Sequence, residues 1–247
     1  YHVDGWLLLI NGVQSSHVIV GQPRMLDFEY MRWIVAVLDS HIQTHLNPEK
    51  LRITHLGGGA CSLARYCADV YPSSRNTVVE LDAKLAEHVR DWFDIPKSPR
   101  VKIRVGDAGT VTRSFAPASR DVVIRDVFAV DKTPAELTGV DFVRTVDNSL
   151  APGGLYILNC GDDRTLNAAR AEAAALLEVF EYVSIVADSA MLKGRRRGNI
   201  ILAGSHVPLP QLGSAEAASI SRVLMGGGVP AQYWDTEKVR VFARKGA

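Results

Sequence analysis

Between residues 51 and 203, short apolar runs alternate with longer stretches of helical periodicity, an order that points to a doubly wound α/β sheet. Strand candidates lie at 51–56, 77–81, 101–105, 121–124 and 155–159, and helical segments near 61–70, 83–93, 133–150 and 166–180. Apolar strands separated by helices are the pattern of parallel strands buried on both faces. Two further apolar runs, at 182–187 and 199–203, follow the last helix and are expected to pair antiparallel and close one edge of the sheet.

The flanking segments read differently. Trp6 to Ile10 and Val18 to Val20 are β-prone, and Asn11-Gly12 between them tolerates the positive φ of a hairpin turn. Leu26, Met31, Ile34, Val35, Leu38, Ile42 and Leu46 then recur at helical spacing until Asn47-Pro48 ends the run. Beyond Pro208 prolines and glycines punctuate a tail with one plausible helix near residues 215–224. The expected organisation is an N-terminal hairpin region over 1–25, a Rossmann-like domain with its leading helix over 26–207, and a C-terminal appendage over 208–247.

Composition narrows the functional classes. A formal net charge of +1 gives no electrostatic reason to expect nucleic acid or a membrane surface as partner. Arg195, Arg196 and Arg197 are the one basic run, readable as a solvated turn between two strands or as an anion site. Three cysteines, Cys61, Cys67 and Cys160, have neither disulfide nor zinc spacing, and a reducing cytoplasm is their natural compartment. His17, His41, His45, His55 and His88 show no ligand spacing, so no metal is expected. Apolar runs stay well short of the ~20 residues that span a bilayer. Leu7 to Ile10 is too short for the core of a signal peptide.

In a doubly wound sheet, ligands bind beyond the carboxyl ends of the strands, where the connectivity reverses. The first strand is followed by Gly57-Gly58-Gly59, which lets backbone approach a ligand and opens a helix N-terminus, or simply makes a tight turn. The second ends at Glu80-Leu81-Asp82, about 20 residues on, the spacing of a ribose-binding acid. Asp82 suits a helix N-terminus better than Glu80 does. The third ends Val105-Gly106-Asp107-Ala108, where a carboxylate can accept the exocyclic amine of adenine. Together these strand ends point to an adenosyl nucleoside, held by Gly57, Gly58, Gly59, Glu80, Asp107 and Ala108. Asp126, after the fourth strand, faces the reacting end, where a carboxylate can hold an amine or accept its proton.

These pieces in this order resemble class I methyltransferase-fold proteins, and the hairpin and leading helix narrow the resemblance to the spermidine synthase (polyamine aminopropyltransferase) family. The resemblance runs from about Leu8 to Ala203. Leu8-Leu9-Ile10-Asn11-Gly12-Val13-Gln14 looks like the family's N-terminal strand, which places Gln14 beside the nucleoside. Gly57–Gly59, Glu80 with Asp82, Gly106-Asp107 and Asp126 match the glycine turn, ribose acid, adenine acid and first active-site Asp.

The departures concern the amine. Ala60 stands where the family has an Asp that grips the amine of decarboxylated S-adenosylmethionine. Asp126-Val127-Phe128-Ala129 replaces Asp-Ser-Ser-Asp, and Phe28-Glu29-Tyr30 replaces Tyr-His-Glu. The resemblance therefore implies a catalytic Asp126 and, as co-substrate, S-adenosylmethionine or its decarboxylated form. It also implies a homodimer and a small-molecule acceptor other than ordinary putrescine. With Ala60 lacking a charge, preference is expected to move toward S-adenosylmethionine.

Overall fold

In the computed structural model, which describes residues 5–129 and 132–244, the chain opens on a hairpin of β1 (Trp6–Ile10) and β2 (Val13–Val18). The ends of the expected 1–25 and 208–247 regions, at residues 1–4 and 245–247, lie outside that description. Asn11 and Gly12 both adopt positive φ, 51° and 80°, as a tight hairpin turn requires. The hairpin is a two-stranded sheet separate from the main one. Leading helix α1 (Glu29–His45) buries Met31, Ile34, Val35, Leu38 and Ile42, the positions that its periodicity marks.

The main sheet has eight strands. Five are parallel: β3 (Arg52–Leu56), β4 (Arg75–Glu80), β5 (Val101–Val105), β6 (Arg120–Arg125) and β7 (Leu150–Asp162). Their crossovers carry α2 (Ser62–Val70), α3 (Ala83–Trp92), α4 (Ala108–Arg113) and α5 (Gly139–Ser149). After α6 (Asn167–Val179) come β8 (Tyr182–Asp188), a single helical turn α7 (Ser189–Leu192) and β9 (Gly198–Ser205). The tail adds α8 (Ala215–Met225), β10 (Ala231–Trp234) and α9 (Thr236–Arg244). The spatial order is β10-β8-β9-β7-β6-β3-β4-β5.

Two features correct the sequence reading. β8 and β9 are antiparallel as expected, but they do not close the sheet: β9 lies between β7 and β8, and β10 pairs outside β8. The tail beyond Pro208 thus supplies an edge strand, with Tyr233 and Val239 buried in the core. A four-residue edge strand flanked by Gly and Pro carries too little period to be read from one sequence.

The connectivity positions the site. From β3 the chain winds outward through β4 to β5, then returns to β6 beside β3 and winds outward to β7. Right-handed crossovers then put the two sets of helices on opposite faces. The reversal lies between β3 and β6, where Asp126 N–H donates to the Leu56 carbonyl at 2.8 Å. Gly57, at φ 91°, packs there so closely that an added Cβ would lie 2.1 Å from the Asp126 carbonyl oxygen. No side chain fits at that position.

Candidate functional site

At the carboxyl ends of these strands opens a cleft of about 2030 Å³. Gln14, Gly57, Gly58, Gly59, Glu80, Asp107, Ala108 and Asp126, the residues singled out from the sequence, all line it. Strand register explains their convergence: Leu56 pairs with Val79 and Arg125, Glu80 with Val105, and Arg125 with Leu158, so the strand ends lie level.

Glu80 is tied to the glycine turn. One carboxylate oxygen accepts from Gly58 N–H at 3.0 Å and Gly59 N–H at 3.3 Å, and the other accepts from Asp82 N–H at 3.0 Å. A carboxylate offers about four acceptor positions, so Glu80 keeps capacity for hydroxyl donors on its cavity side. Gly58 is small because an added Cβ would approach the Glu80 carboxylate to 2.9 Å. Asp82 caps α3, accepting from Lys84 and Leu85 N–H at 2.9 and 3.1 Å. Asp107 likewise caps α4 through Thr110 N–H at 2.7 Å, and that bond holds its carboxyl below the ordinary range. Leu81 presents an apolar side chain, 73% exposed, between the two acids at the cleft wall. This end of the cleft therefore offers a carboxylate with acceptor capacity left, an apolar side chain, and an acid at the outer strand.

The hairpin forms part of the same wall. Ser16 Oγ accepts from Ala60 N–H at 3.0 Å, and Ser62 Oγ donates to the His17 carbonyl at 3.2 Å, so β2 lies across the glycine turn. Gln14, two residues along β2, is exposed to the cleft.

Asp126 sits at the centre with two donors. Tyr30 Oη donates to one carboxylate oxygen at 3.0 Å, and Asn159 Nδ2 to the other at 2.9 Å. Burial pushes its carboxyl above the usual range, against which these two donors and the neighbouring Arg125 act. Burial, with Asp126 adding to it, also raises the Tyr30 phenol well above its ordinary value, so it stays a donor. Behind them, Arg125 is fully buried in an ion pair with Glu172 at 2.5 Å. Sequence reading did not single out Tyr30 or Asn159 as site residues. A signal for Asn159 existed in its place as the polar residue ending the apolar run 155–159, and the register that pairs Leu158 with Arg125 makes it the neighbour of Asp126.

A solved structure described as a probable spermidine synthase from Corynebacterium glutamicum is 60% identical in sequence, with a TM-score of 0.95. The match covers 98% of this chain and 87% of that one. The chain belongs to the spermidine synthase-like family. Curated relatives divide between two chemistries. The mouse eEF1A lysine and N-terminal methyltransferase is 33% identical over 128 residues, and the Vibrio vulnificus polyamine aminopropyltransferase is 26% identical over 149. These matches span 47% and 60% of this chain but only 18% and 48% of those proteins. No protein-family model matches the sequence.

Within the spermidine synthase-like family the amine-side departures take physical form. Ala60 is fully enclosed beneath β2, in an apolar cluster with Val18, Ala64 and Val78, and is not among the residues lining the cleft. The expected effect of Ala60 on sulfonium preference presumed a side chain facing the ligand, and here that side chain faces the core. Ala129 is exposed and bridges to Lys132, its N–H donating to the Lys132 carbonyl at 2.8 Å. Ala129, which the resemblance sets against the family's second carboxylate, thus pairs with a lysine that lines the cleft.

Proposed function

We propose that this spermidine synthase-like protein is a transferase that binds an adenosyl-sulfonium nucleoside along Gly57–Gly59, Glu80 and Asp107. It moves an aminopropyl or other alkyl group to an acceptor amine at Asp126. The observation that carries the reading is the Tyr30–Asp126–Asn159 assembly at the point where the sheet reverses, level with the nucleoside wall. An acceptor ammonium loses a proton before its nitrogen can attack. Asp126, its carboxyl raised by burial, is suited to take that proton. The nitrogen–carbon bond forms as the carbon–sulfur bond breaks, and the electron pair leaves on sulfur as a neutral thioether. Positive charge passes from sulfur to nitrogen, and once Asp126 has released the proton it took to solvent, its carboxylate beside the nitrogen favours the transition state over the bound sulfonium.

Similarity to a methyltransferase at 33% identity supports a second reading, methyl transfer from S-adenosylmethionine. Turnover separates the two. Aminopropyl transfer releases methylthioadenosine and methyl transfer releases S-adenosylhomocysteine. Release of neither, with a panel of amines and both sulfonium nucleosides, would reduce the protein to a nucleoside-binding module. With putrescine and decarboxylated S-adenosylmethionine we expect little spermidine, because Ala129 and Lys132 stand where a diamine needs a carboxylate. The same reading takes the working unit as a homodimer. Trp6, Leu9 and Val13 leave apolar surface exposed on a hairpin that is marginal alone. Light scattering that reports a monomer well above micromolar concentration would remove that part.

A further inference from the structure

The cations lining the cleft are confined to one side of it. Glu80, Asp82 and Asp107 follow β4 and β5, on one side of the reversal, and that side contributes neither lysine nor arginine to the lining among the described residues. Lys132, Arg164, Arg196 and Arg197 line the other side, on the loops after β6 and β7 and the turn before β9. These loops form one wall. Asp162 pairs with Gly198 across β7 and β9, and an added Cβ at Gly194, φ 64°, would lie 2.6 Å from the Arg164 carbonyl oxygen. The arginine turn thus abuts the loop after β7 at Gly194, while Arg195, Arg196 and Arg197 are themselves exposed, as a solvated turn between two strands predicts.

Of the acids on this side, Glu172 is paired with Arg125, and Asp162 and Asp163 are engaged in building the loop. Asp162 accepts from Asp163 N–H at 2.8 Å and Ala169 N–H at 2.7 Å, while Asp163 accepts from Thr165 N–H and Oγ at 2.7 and 2.6 Å. Asp163 also lies within electrostatic reach of Lys132 and Arg197. The cations are less committed. Arg196 is held against Asp188 at 2.5 Å, but the side chains of Lys132 and Arg164 have no hydrogen-bond or ion-pair partner among the described residues. Glu136, also on this wall, is exposed.

Resting on the transferase reading above, we propose that the acceptor is an amine carrying an anionic group, carboxylate or phosphate, which Lys132 and Arg164 recognise while its nitrogen meets Asp126. A polyamine would bring its distal ammonium close to Lys132 and Arg164, whose like charge disfavours it, while the nearby Asp162 and Asp163 are already engaged by backbone and Thr165 donors. An anionic group gains charge-assisted bonds from donors that the fold leaves unused.

The test is titration calorimetry of the intact protein saturated with methylthioadenosine, against putrescine, γ-aminobutyrate and phosphoethanolamine. We expect one of the two anionic amines to bind at least about tenfold tighter than putrescine, and which one does so tells carboxylate from phosphate. Charge reversal with Lys132→Glu and Arg164→Glu, both on exposed side chains, should erase that preference and leave methylthioadenosine affinity within about twofold. Putrescine binding as tightly as the anionic amines, no binding by either of them, or a preference that survives charge reversal would each overturn the acceptor class alone. Failure to bind methylthioadenosine at all would overturn the nucleoside reading, and this inference with it.

Discussion

The two ends of the cleft solve the problem of holding a ligand by different means. On the β4–β5 side, side chains are few and backbone dominates: three glycines, helix-capping acids, and Glu80 braced by the glycine turn's own N–H groups. On the β6–β9 side, backbone recedes and long cationic side chains project from packed loops. A backbone-built end tolerates little variation, because Gly57 and Gly58 already touch Asp126 and Glu80. A side-chain-built end can be rewritten without disturbing the sheet. That asymmetry is what the proposed reading needs, a nucleoside end that is kept and an amine end that is free to change. Asp126 stands where the two constructions meet.

The sharpest way to break the comparison is to remove that meeting point. Asp126→Asn keeps the side chain's shape and an acceptor for Asn159, with the Tyr30 hydroxyl turned to accept, but cannot accept a proton, so kcat is expected to fall by about 10²–10⁴-fold. Methylthioadenosine affinity, a property of the other end, should be unchanged. Equal losses in rate and nucleoside affinity would show that the two ends are not separable. Ala60→Asp probes the boundary from the opposite direction. In this fold it buries a carboxylate among Val18, Ala64 and Val78, a change expected to destabilise by roughly 3 kcal/mol or more. Urea unfolding reads that directly. A stable Ala60→Asp protein with a changed ratio of affinities for the two sulfonium nucleosides would instead put residue 60 in the ligand's path.

A smaller effect tests the nucleoside end alone. Glu80→Ala should weaken methylthioadenosine binding by about 1.5–3 kcal/mol, the range for hydrogen bonds to a charged group. Because Glu80 also braces Gly58 and Gly59, Glu80→Gln serves as the companion. It retains one acceptor oxygen and should recover part of the affinity if hydroxyl recognition, rather than turn geometry alone, is at stake. Calorimetry showing wild-type affinity in both variants would remove Glu80 from the site.

Strand ends were the most legible part of this molecule. Buried parallel strands are read from their apolar runs, so Glu80, Asp107 and Asp126 stood out where each strand stopped. Tyr30 and Asn159 were not legible in the same way. Tyr30 stood out only within Phe28-Glu29-Tyr30, set against the family's Tyr-His-Glu, and its contact with Asp126 spans elements far apart in sequence. Asn159 falls inside a 13-residue strand, β7, that sequence reading ended at that residue. The position of Ala60 was misread because a family motif gives the residue type expected there but not the direction in which this chain's Cβ points, which Ser16 and the covering hairpin decide. Strand β10 escaped for want of length.

Tyr30→Phe carries the smallest expected effect and divides the two roles that Asp126 could have. The phenol donates to the carboxylate and so holds its pKa down against the upward push of burial. Without that bond the carboxyl rises further, and a larger fraction is protonated at any pH on the acid side. A base must be ionised to accept a proton, so the acid limb of the kcat profile should move to higher pH, with rates on the alkaline plateau within about tenfold of wild type. Stability supplies an independent check of sign. A carboxyl raised in the folded state binds its proton there before it does in the unfolded chain, so its contribution is present at low pH and lost as pH rises through the folded value. Tyr30→Phe should extend that loss to higher pH. If Asp126 only anchors the acceptor's charge, protonation weakens binding, and the shift appears in KM while the kcat profile stays where it was. A kcat limb that stays fixed or moves to lower pH would therefore assign Asp126 to holding the amine and require another group, or solvent, to take the proton.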